Sequence, residues 1–341
     1  MSSVDVVVPC YRYGRFLRGC VDSVLSQDGC DVRVLIIDDA SADGSAKIAR
    51  AAAEEDRRVA VRIHERNEGM AAVCNEGIEW AEAEYFLTLS ADDLLTPGAL
   101  ARATNIMTEL PEVSLTYGTE LILDSGGTTP IVAPDPHVNW WISSGSAFIR
   151  HVCSTGRNHV GTSTAVVRTS AQKAVGGYRP ELPHTSDMEM WLRLATQGAV
   201  AYTDVAQGIR RVHGANMSTT RFGRRSLDYI ERETALKSFF ANEGRSIDGH
   251  DALLYQARRQ LSQGAYWSAL RKLRYGEIAC ASELLAFCYR LQPGNVLLPP
   301  IGHLLRRGTH PRSKCDLIWW DTFGGVYRRT RSTVRTSTAR P

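Results

Sequence analysis

Residues 66–100 read RNEGMAAVCNEGIEWAEAEYFLTLSADDLLTPGAL, and the fold is decided in this stretch. Met70–Trp80 carries apolar residues at helical spacing. Tyr85–Ser90 (YFLTLS) is a short apolar run of the kind that forms a buried strand, and it ends on the acidic pair Asp92 and Asp93 before another helix starts from Pro97. A helix feeding a strand whose end is polar is part of a βα repeat.

Outward from this stretch the same unit recurs. Asp5–Pro9 (DVVVP) predicts a buried parallel strand stopped by proline, and Phe16, Leu17, Cys20, Val21, Val24 and Leu25 predict an amphipathic helix. Val32–Asp38 (VRVLIID) and Ser45–Ala53 form a second strand and helix, and Val59–His64 a third strand. Repeated units of this length imply a parallel sheet covered on both faces, with ligands beyond the carboxyl ends of its strands. From about residue 113 the alternation stops. Strand-like pieces at Val113–Tyr117, Glu120–Leu123, Ser163–Arg168 and Val200–Asp204 are mixed with long loops, one holding Trp140–Trp141, and a helix is expected at Asp187–Thr196. After Arg221 the pattern turns helical near 225–242, 250–263 and 265–290, with Gly244 and Gly264 read as helix stops.

The chain has 341 residues, 43% hydrophobic and 23% charged, an ordinary globular composition with room for one large domain or two. A net charge of +3 gives no reason to expect a nucleic-acid partner. The charge is uneven: residues 301–341 hold nine Arg or Lys against two Asp. Such a tail is either a solvated terminus or a surface for a membrane or acidic partner. Eight cysteines show no CxxC pair, which fits reduced thiols in a cytosolic protein. The N-terminus opens directly on a strand pattern, and no stretch reaches the roughly 18 apolar residues of a membrane span. The expectation is a cytoplasmic protein, soluble or peripheral at the inner face of the membrane.

Three strand ends carry acidic or polar residues: Pro9-Cys10-Tyr11, Asp38-Asp39 with Ser41 and Asp43, and Ser90-Ala91-Asp92-Asp93. Parallel topology brings them to one sheet edge. Carboxylates gathered there repel unless a cation or hydrogen-bond donors intervene, and a hard divalent ion completed by phosphate oxygens is one solution. Each element also has a structural explanation: Ser41 and Asp43 suit helix capping, and Asp92 and Asp93 alone fit the start of the helix near Pro97 equally well.

In these segments the sequence resembles the family 2 inverting glycosyltransferases. The matching pieces are VVVPCYRYGRFLRGCVDSVLSQ (6–27), VLIIDDASADGS (34–45), residues 66–100 as quoted, GGYRPELPHTSDMEMWLRLATQG (176–198) and RRVHGANMS (210–218). The resemblance implies an α/β GT-A fold, the nucleotide-diphospho-sugar transferase architecture: a mixed, mostly parallel sheet flanked by helices, with a smaller C-terminal helical region. The resemblance covers a transferase domain over 1–220; outside it, the sequence pattern predicts a helical accessory region over 221–310 and a basic tail over 311–341.

The resemblance also implies roles. Pro9 and Tyr11 lie where the nucleotide base sits, Asp39 corresponds to the carboxylate that reads the base, and Asn67, Gly69 and Asn75 match the segment near nucleotide and sugar. Asp92 and Asp93 belong to the DxD-like element that meets ribose, metal and diphosphate, with Ser90 in place of its first Asp. Asp187 matches the catalytic base, with Ser186 in place of the preceding Glu. His213 lies in the late loop over the diphosphate, where it is a metal ligand, a diphosphate contact or a structural residue, with Arg210 or Arg211 beside it. Arg12 stands where many relatives have Asn, and Cys74 where many have Arg. Glu189 and Arg193 read as an ordinary i,i+4 pair.

The implied cofactor is Mg²⁺ or Mn²⁺. The implied partners are a UDP-, dTDP- or GDP-sugar donor and a sugar, lipid-linked or other hydroxyl acceptor, as in synthesis of cell-surface polysaccharide or another glycoconjugate. Two other functions share these residues: a nucleotidyltransferase, disfavoured because CYRYGRF has a single glycine, and a catalytically weak nucleotide-sugar-binding scaffold. The C-terminal helices suit packing over the acceptor, a homodimer or membrane approach. Trp319, Trp320 and Phe323 beside the basic tail suit interfacial docking or a local apolar cluster.

Overall fold

A computed structural model describes residues 1–124, 127–130, 132, 137–216, 225–296 and 298–300, with the backbone of 328–333. The first units follow the sequence pattern closely: β1 (Ser3–Cys10), α1 (Gly14–Leu25), β2 (Asp31–Asp38), α2 (Ser45–Glu55), β3 (Val59–Ile63), α3 (Met70–Trp80), β4 (Tyr85–Thr88), the two-residue β5 (Leu94–Leu95) and α4 (Ala99–Glu109). Next come β6 (Val113–Asp124), β7 (His137–Ser143), α5 (Gly145–Thr155), β8 (Val166–Arg168), α6 (Thr169–Val175), α7 (Ser186–Leu194) and β9 (Ala199–Val212). Three helices, α8 (Arg225–Ala241), α9 (His250–Arg274) and α10 (Ile278–Leu291), precede β10 (Arg328–Thr333).

One mixed sheet runs in the order β10-β7-β9-β6-β8-β4-β1-β2-β3, with β5 attached to β9. Its β4-β1-β2-β3 portion is parallel, which requires crossover helices; β1 and β4 are buried on both faces, while the edge strand β3 is partly exposed. The strand period divides the side chains between two cores. Val4, Val6 and Val8 of β1 face the layer made by α1, α2 and α4, and Val7 faces α3 and the later helices. Each such buried aliphatic side chain contributes roughly 1.5–3 kcal/mol. The second core continues without a break from Val7 and Phe86 through α5 and α7 to Phe239, Leu261 and Phe287 of the helical region.

Beyond residue 113 several expectations change. The pieces at Val113–Tyr117 and Glu120–Leu123 are one strand, β6, whose alternation is broken by register shifts against β9 on either side of Thr119. Gly118 sits at this irregularity, where a Cβ would lie 2.4 Å from Gln207 Cγ. Val200–Asp204 is the beginning of the 14-residue β9. Ser163–Arg168 divides into a 3-10 turn at Thr162–Thr164 and β8. The loop holding Trp140–Trp141 is β7, with Trp140 fully buried, and α5 follows it unannounced.

Gly264 is not a helix stop. It lies inside α9, where a Cβ would be 2.9 Å from Tyr229 Oη, so glycine serves close approach to α8. The helix stops at Gly276, which has φ +75° and donates its N–H to Leu273 O at 3.0 Å. Gly244 falls in a 3-10 turn just after α8. No cysteine among the described residues forms a disulfide, and no helix among them is long and apolar enough to cross a membrane. Trp319, Trp320, Phe323 and most of the basic tail lie outside the described residues.

Candidate functional site

The carboxyl ends of β1, β2 and β4 are joined into one edge by backbone hydrogen bonds. Asp39 donates its N–H to Cys10 O at 2.9 Å, and Ala91 donates to Pro9 O at 3.2 Å. Asp39 thus lies beside Pro9 and Cys10, and the turn carrying Asp92 and Asp93 lies on the other flank of β1.

Both members of the acidic pair are buried. Asp92 is saturated by neighbours: Ser90 Oγ donates to its Oδ1 at 2.5 Å, and Asn216 Nδ2 donates to Oδ2 at 2.9 Å. His213 Nε2 also meets Oδ2, at 3.1 Å. Because His213 Nδ1 accepts the Ala215 N–H at 3.2 Å, the ring proton sits on Nε2 and points at Asp92. The serine at position 90 therefore keeps a contact to the acidic pair rather than leaving a gap.

Asp93 accepts the Arg211 N–H on Oδ1 at 3.0 Å, and no hydrogen bond reaches its other oxygen among the described residues. Burial, followed by the charge of Asp92, pushes Asp93 well above the usual carboxylate range. The loop supplying these contacts is pinned to α1, with the His213 ring 4.7 Å from Phe16 and the Arg211 guanidinium 4.8 Å from the same ring.

The donor set fits a phosphate-completed cation. Among the described residues no group of three or more His, Cys, Asp or Glu forms a cage. A hard divalent ion needs only one or two carboxylates when phosphate oxygens fill the rest of its shell. Asp93 has the uncommitted oxygen that such an ion would use, and Asp92 and His213 stand beside it.

Asp39 is held rigidly in place. Glu68 and Gly69 donate backbone N–H groups to its two oxygens at 2.8 and 2.9 Å, and His64 Nδ1 lies 2.8 Å from Oδ1. Gly69 has φ +90°, which lets the loop curl its amides onto the carboxylate. His64 Nε2 reaches Glu76 at 2.7 Å, and Glu76 in turn accepts from Arg62 at 2.7 Å. Burial lowers the affinity of His64 for its proton, but its bonds to Asp39 and Glu76 outweigh that and raise its pKa. Tyr11 is 39% exposed, with the Arg12 guanidinium 5.0 Å from its ring centre. Arg12 adopts φ +60°, a left-handed conformation that Asn takes more readily than Arg.

Other residues expected in the site have structural engagements. Asn67 Nδ2 donates to Asp39 O at 3.4 Å. Asn75 uses both ends of its amide on the backbone of Tyr178, at 2.5 and 2.9 Å, and so fastens α3 to the segment before α7. Asp43 accepts from Gly14 N–H and Ser45 N–H, both at 3.1 Å, and ties α1 to the start of α2.

Asp187 stands in the first turn of α7. Its Oδ1 accepts the Met188 N–H at 2.6 Å, and its Oδ2 accepts from Asn158 Nδ2 at 2.8 Å and Thr162 Oγ1 at 3.4 Å. Burial raises its pKa against the pull of these donors. The 3-10 turn at 162–164 connects it to the acidic pair: Ser163 Oγ donates to Glu120 at 2.8 Å, and the Glu120 charge bears on Asp93.

The pair Glu189–Arg193 is not an ordinary surface pair. Both side chains are buried; Arg193 reaches Glu189 at 2.8 Å and the carbonyls of Val175 and Gly177 at 2.6 and 2.8 Å. Arg179 bonds the other oxygen of Glu189 and continues to Glu243 at 2.7 Å.

Sequence reasoning missed Glu120, Asn158, Thr162 and His64. The first three lie where the sequence lacks periodicity, and His64 appeared only as a strand end. Asn216 was inside the quoted segment RRVHGANMS but was not singled out.

Comparison with known proteins agrees with this architecture. Residues 5–171 match the family described as glycosyl transferase family 2. An uncharacterized glycosyltransferase of Rickettsia typhi is 25% identical over 240 residues, covering 70% of this chain and 71% of that one. Among solved structures, Staphylococcus aureus TarS residues 1–349, in complex with UDP-GlcNAc, superimposes with TM-score 0.51 at 15% identity, covering 92% and 93% of the two chains. A mannosyltransferase of Pyrobaculum calidifontis, in complex with GDP-Man and Mn²⁺, gives TM-score 0.55 at 17% identity over 89% and 79%. At these identities the structures establish the GT-A fold, while the family match speaks to the chemistry. Residues 5–171 carry the match to glycosyl transferase family 2, and that match together with the GT-A fold supports a glycosyltransferase role for the chain.

Proposed function

We propose that the protein moves a sugar from a nucleoside-diphosphate sugar to an acceptor hydroxyl with inversion at the anomeric carbon. The observation that carries this reading is Asp187, a carboxylate oriented by Asn158 and Thr162, in a turn whose Ser163 bonds Glu120, which in turn pairs with Arg210. Tyr11 offers its exposed ring to the base, and Asp39, through its less committed oxygen, accepts a ring N–H. Pro9, Asn67 and Gly69 shape that pocket. A Mg²⁺ or Mn²⁺ ion held by Asp93, with Asp92 and His213 adjacent, neutralises charge on the departing diphosphate when bound. Arg211 braces the turn that carries the pair.

In the transfer step the acceptor oxygen forms its bond to the anomeric carbon as the bond to the diphosphate oxygen breaks, and the hydroxyl proton passes to Asp187. The raised pKa of Asp187 makes it a better proton acceptor near neutrality than an ordinary aspartate. The solved relatives bound to UDP-GlcNAc and to GDP-Man with Mn²⁺ support a nucleotide-sugar donor and a divalent cation here.

Substituting Asp187→Asn tests the assignment. Transfer should fall by roughly 10²–10⁴-fold while nucleoside diphosphates still raise the melting temperature in the presence of Mn²⁺. Near wild-type transfer by a folded variant would remove Asp187 as the base. The same melting measurements, run across UDP, GDP and dTDP, rank the donor base.

A further inference from the structure

The turn between α9 and α10 presents an unusual surface. Eleven large apolar side chains are exposed among the described residues, and four of them fall within nine positions here: Leu270 (37%), Leu273 (42%), Tyr275 (71%) and Ile278 (69%). Arg271, Lys272 and Arg274 are interleaved with them. Lys272 pairs with Glu277 at 2.6 Å, whereas no ion pair engages Arg271 or Arg274 among the described residues.

Local causes explain only part of this. Cations in a last helical turn complement the helix dipole, which accounts for the arginines but not for their apolar neighbours. Scattered exposed hydrophobics are normal, but these are clustered around one turn. Ile278 takes the first position of α10, where a polar or acidic residue would interact better with the free N–H groups. A second copy of the chain would cover the apolar groups but set like charges against one another. A layer of anionic headgroups over hydrocarbon accommodates both, and a tyrosine ring suits that boundary.

We propose that this turn docks the protein on an anionic lipid bilayer, with Leu273, Tyr275 and Ile278 entering the headgroup–acyl boundary and Arg271 and Arg274 meeting lipid phosphates. The turn lies close to the start of α8. Tyr229 Oη meets Ser268 at 3.0 Å, and Ser226 Oγ donates to Glu283 at 2.5 Å, so the first turns of α8 are fixed beside it. Ser226 follows Asn216, at the acidic pair, by only ten positions, a reach of at most about 36 Å.

The test needs neither donor nor acceptor. Full-length protein is sedimented with vesicles of phosphatidylcholine alone and of phosphatidylcholine mixed with phosphatidylglycerol. Wild type should bind the mixed vesicles. Leu273→Ser with Ile278→Ser, and separately Arg271→Glu with Arg274→Glu, should each lower binding roughly tenfold or more while leaving the melting temperature unchanged. A Tyr275→Trp reporter should show a blue-shifted emission on the mixed vesicles. Failure of wild type to bind, an unshifted reporter, or equal binding by the variants (which would transfer the contact to the basic tail) overturns the proposal.

Discussion

Asp39, the carboxylate proposed to read the donor base, is positioned by a network of neighbours behind it. His64 lies between Asp39 and Glu76, and a carboxylate at each ring nitrogen favours the doubly protonated imidazole. Its folded-state pKa is raised above 6.5, so the stabilisation it gives is complete below about that pH and disappears as pH rises through the raised value. Calorimetric affinity for a nucleoside diphosphate should therefore weaken on the alkaline side. His64→Gln should bind roughly threefold to tenfold more weakly at low pH and lose that pH dependence. The burial-raised Asp187 works in the opposite sense: transfer should fall as pH drops through its pKa, which lies above the ordinary 3.8.

The elements follow packing constraints that sequence reveals unevenly. In the first hundred residues the strands β1, β2 and β4 are short, apolar and largely buried on both faces, so β1 to β4 and their helices were legible, and with them the strand ends that carry Tyr11, Asp39, Asp92 and Asp93. β7 and α5 were not legible, because Trp140–Trp141 and the residues around them carry no sustained period. With them went Asn158, whose role depends on a contact 29 positions away. Gly264 is instructive because helix propensity misreads it. Gly264→Ala should gain up to about 1 kcal/mol of intrinsic helicity but lose about 1–3 kcal/mol by driving a methyl group into Tyr229. A net lowering of the melting temperature is expected, and a rise would show that α8 and α9 can separate freely.

At the scale of the molecule, the helical region is bolted to the sheet as well as packed on it. Arg179 and Arg193 share the buried Glu189, and Arg179 carries the link to Glu243 beyond α8. Glu189→Ala would leave two guanidinium groups without their shared carboxylate, a loss of about 3–5 kcal/mol measurable by urea unfolding. An unchanged midpoint would mean that the network is dispensable. The family match ends at residue 171, yet β9, at 199–212, is the partner of β5, β6 and β7 and delivers Arg211 and His213 to the acidic pair. A fragment cut at that boundary would keep the residues by which kinship is recognised while losing the strand that holds three others in register. The hereditary signature is thus shorter than the cooperative folding unit, and a truncation designed from the signature alone should yield insoluble protein.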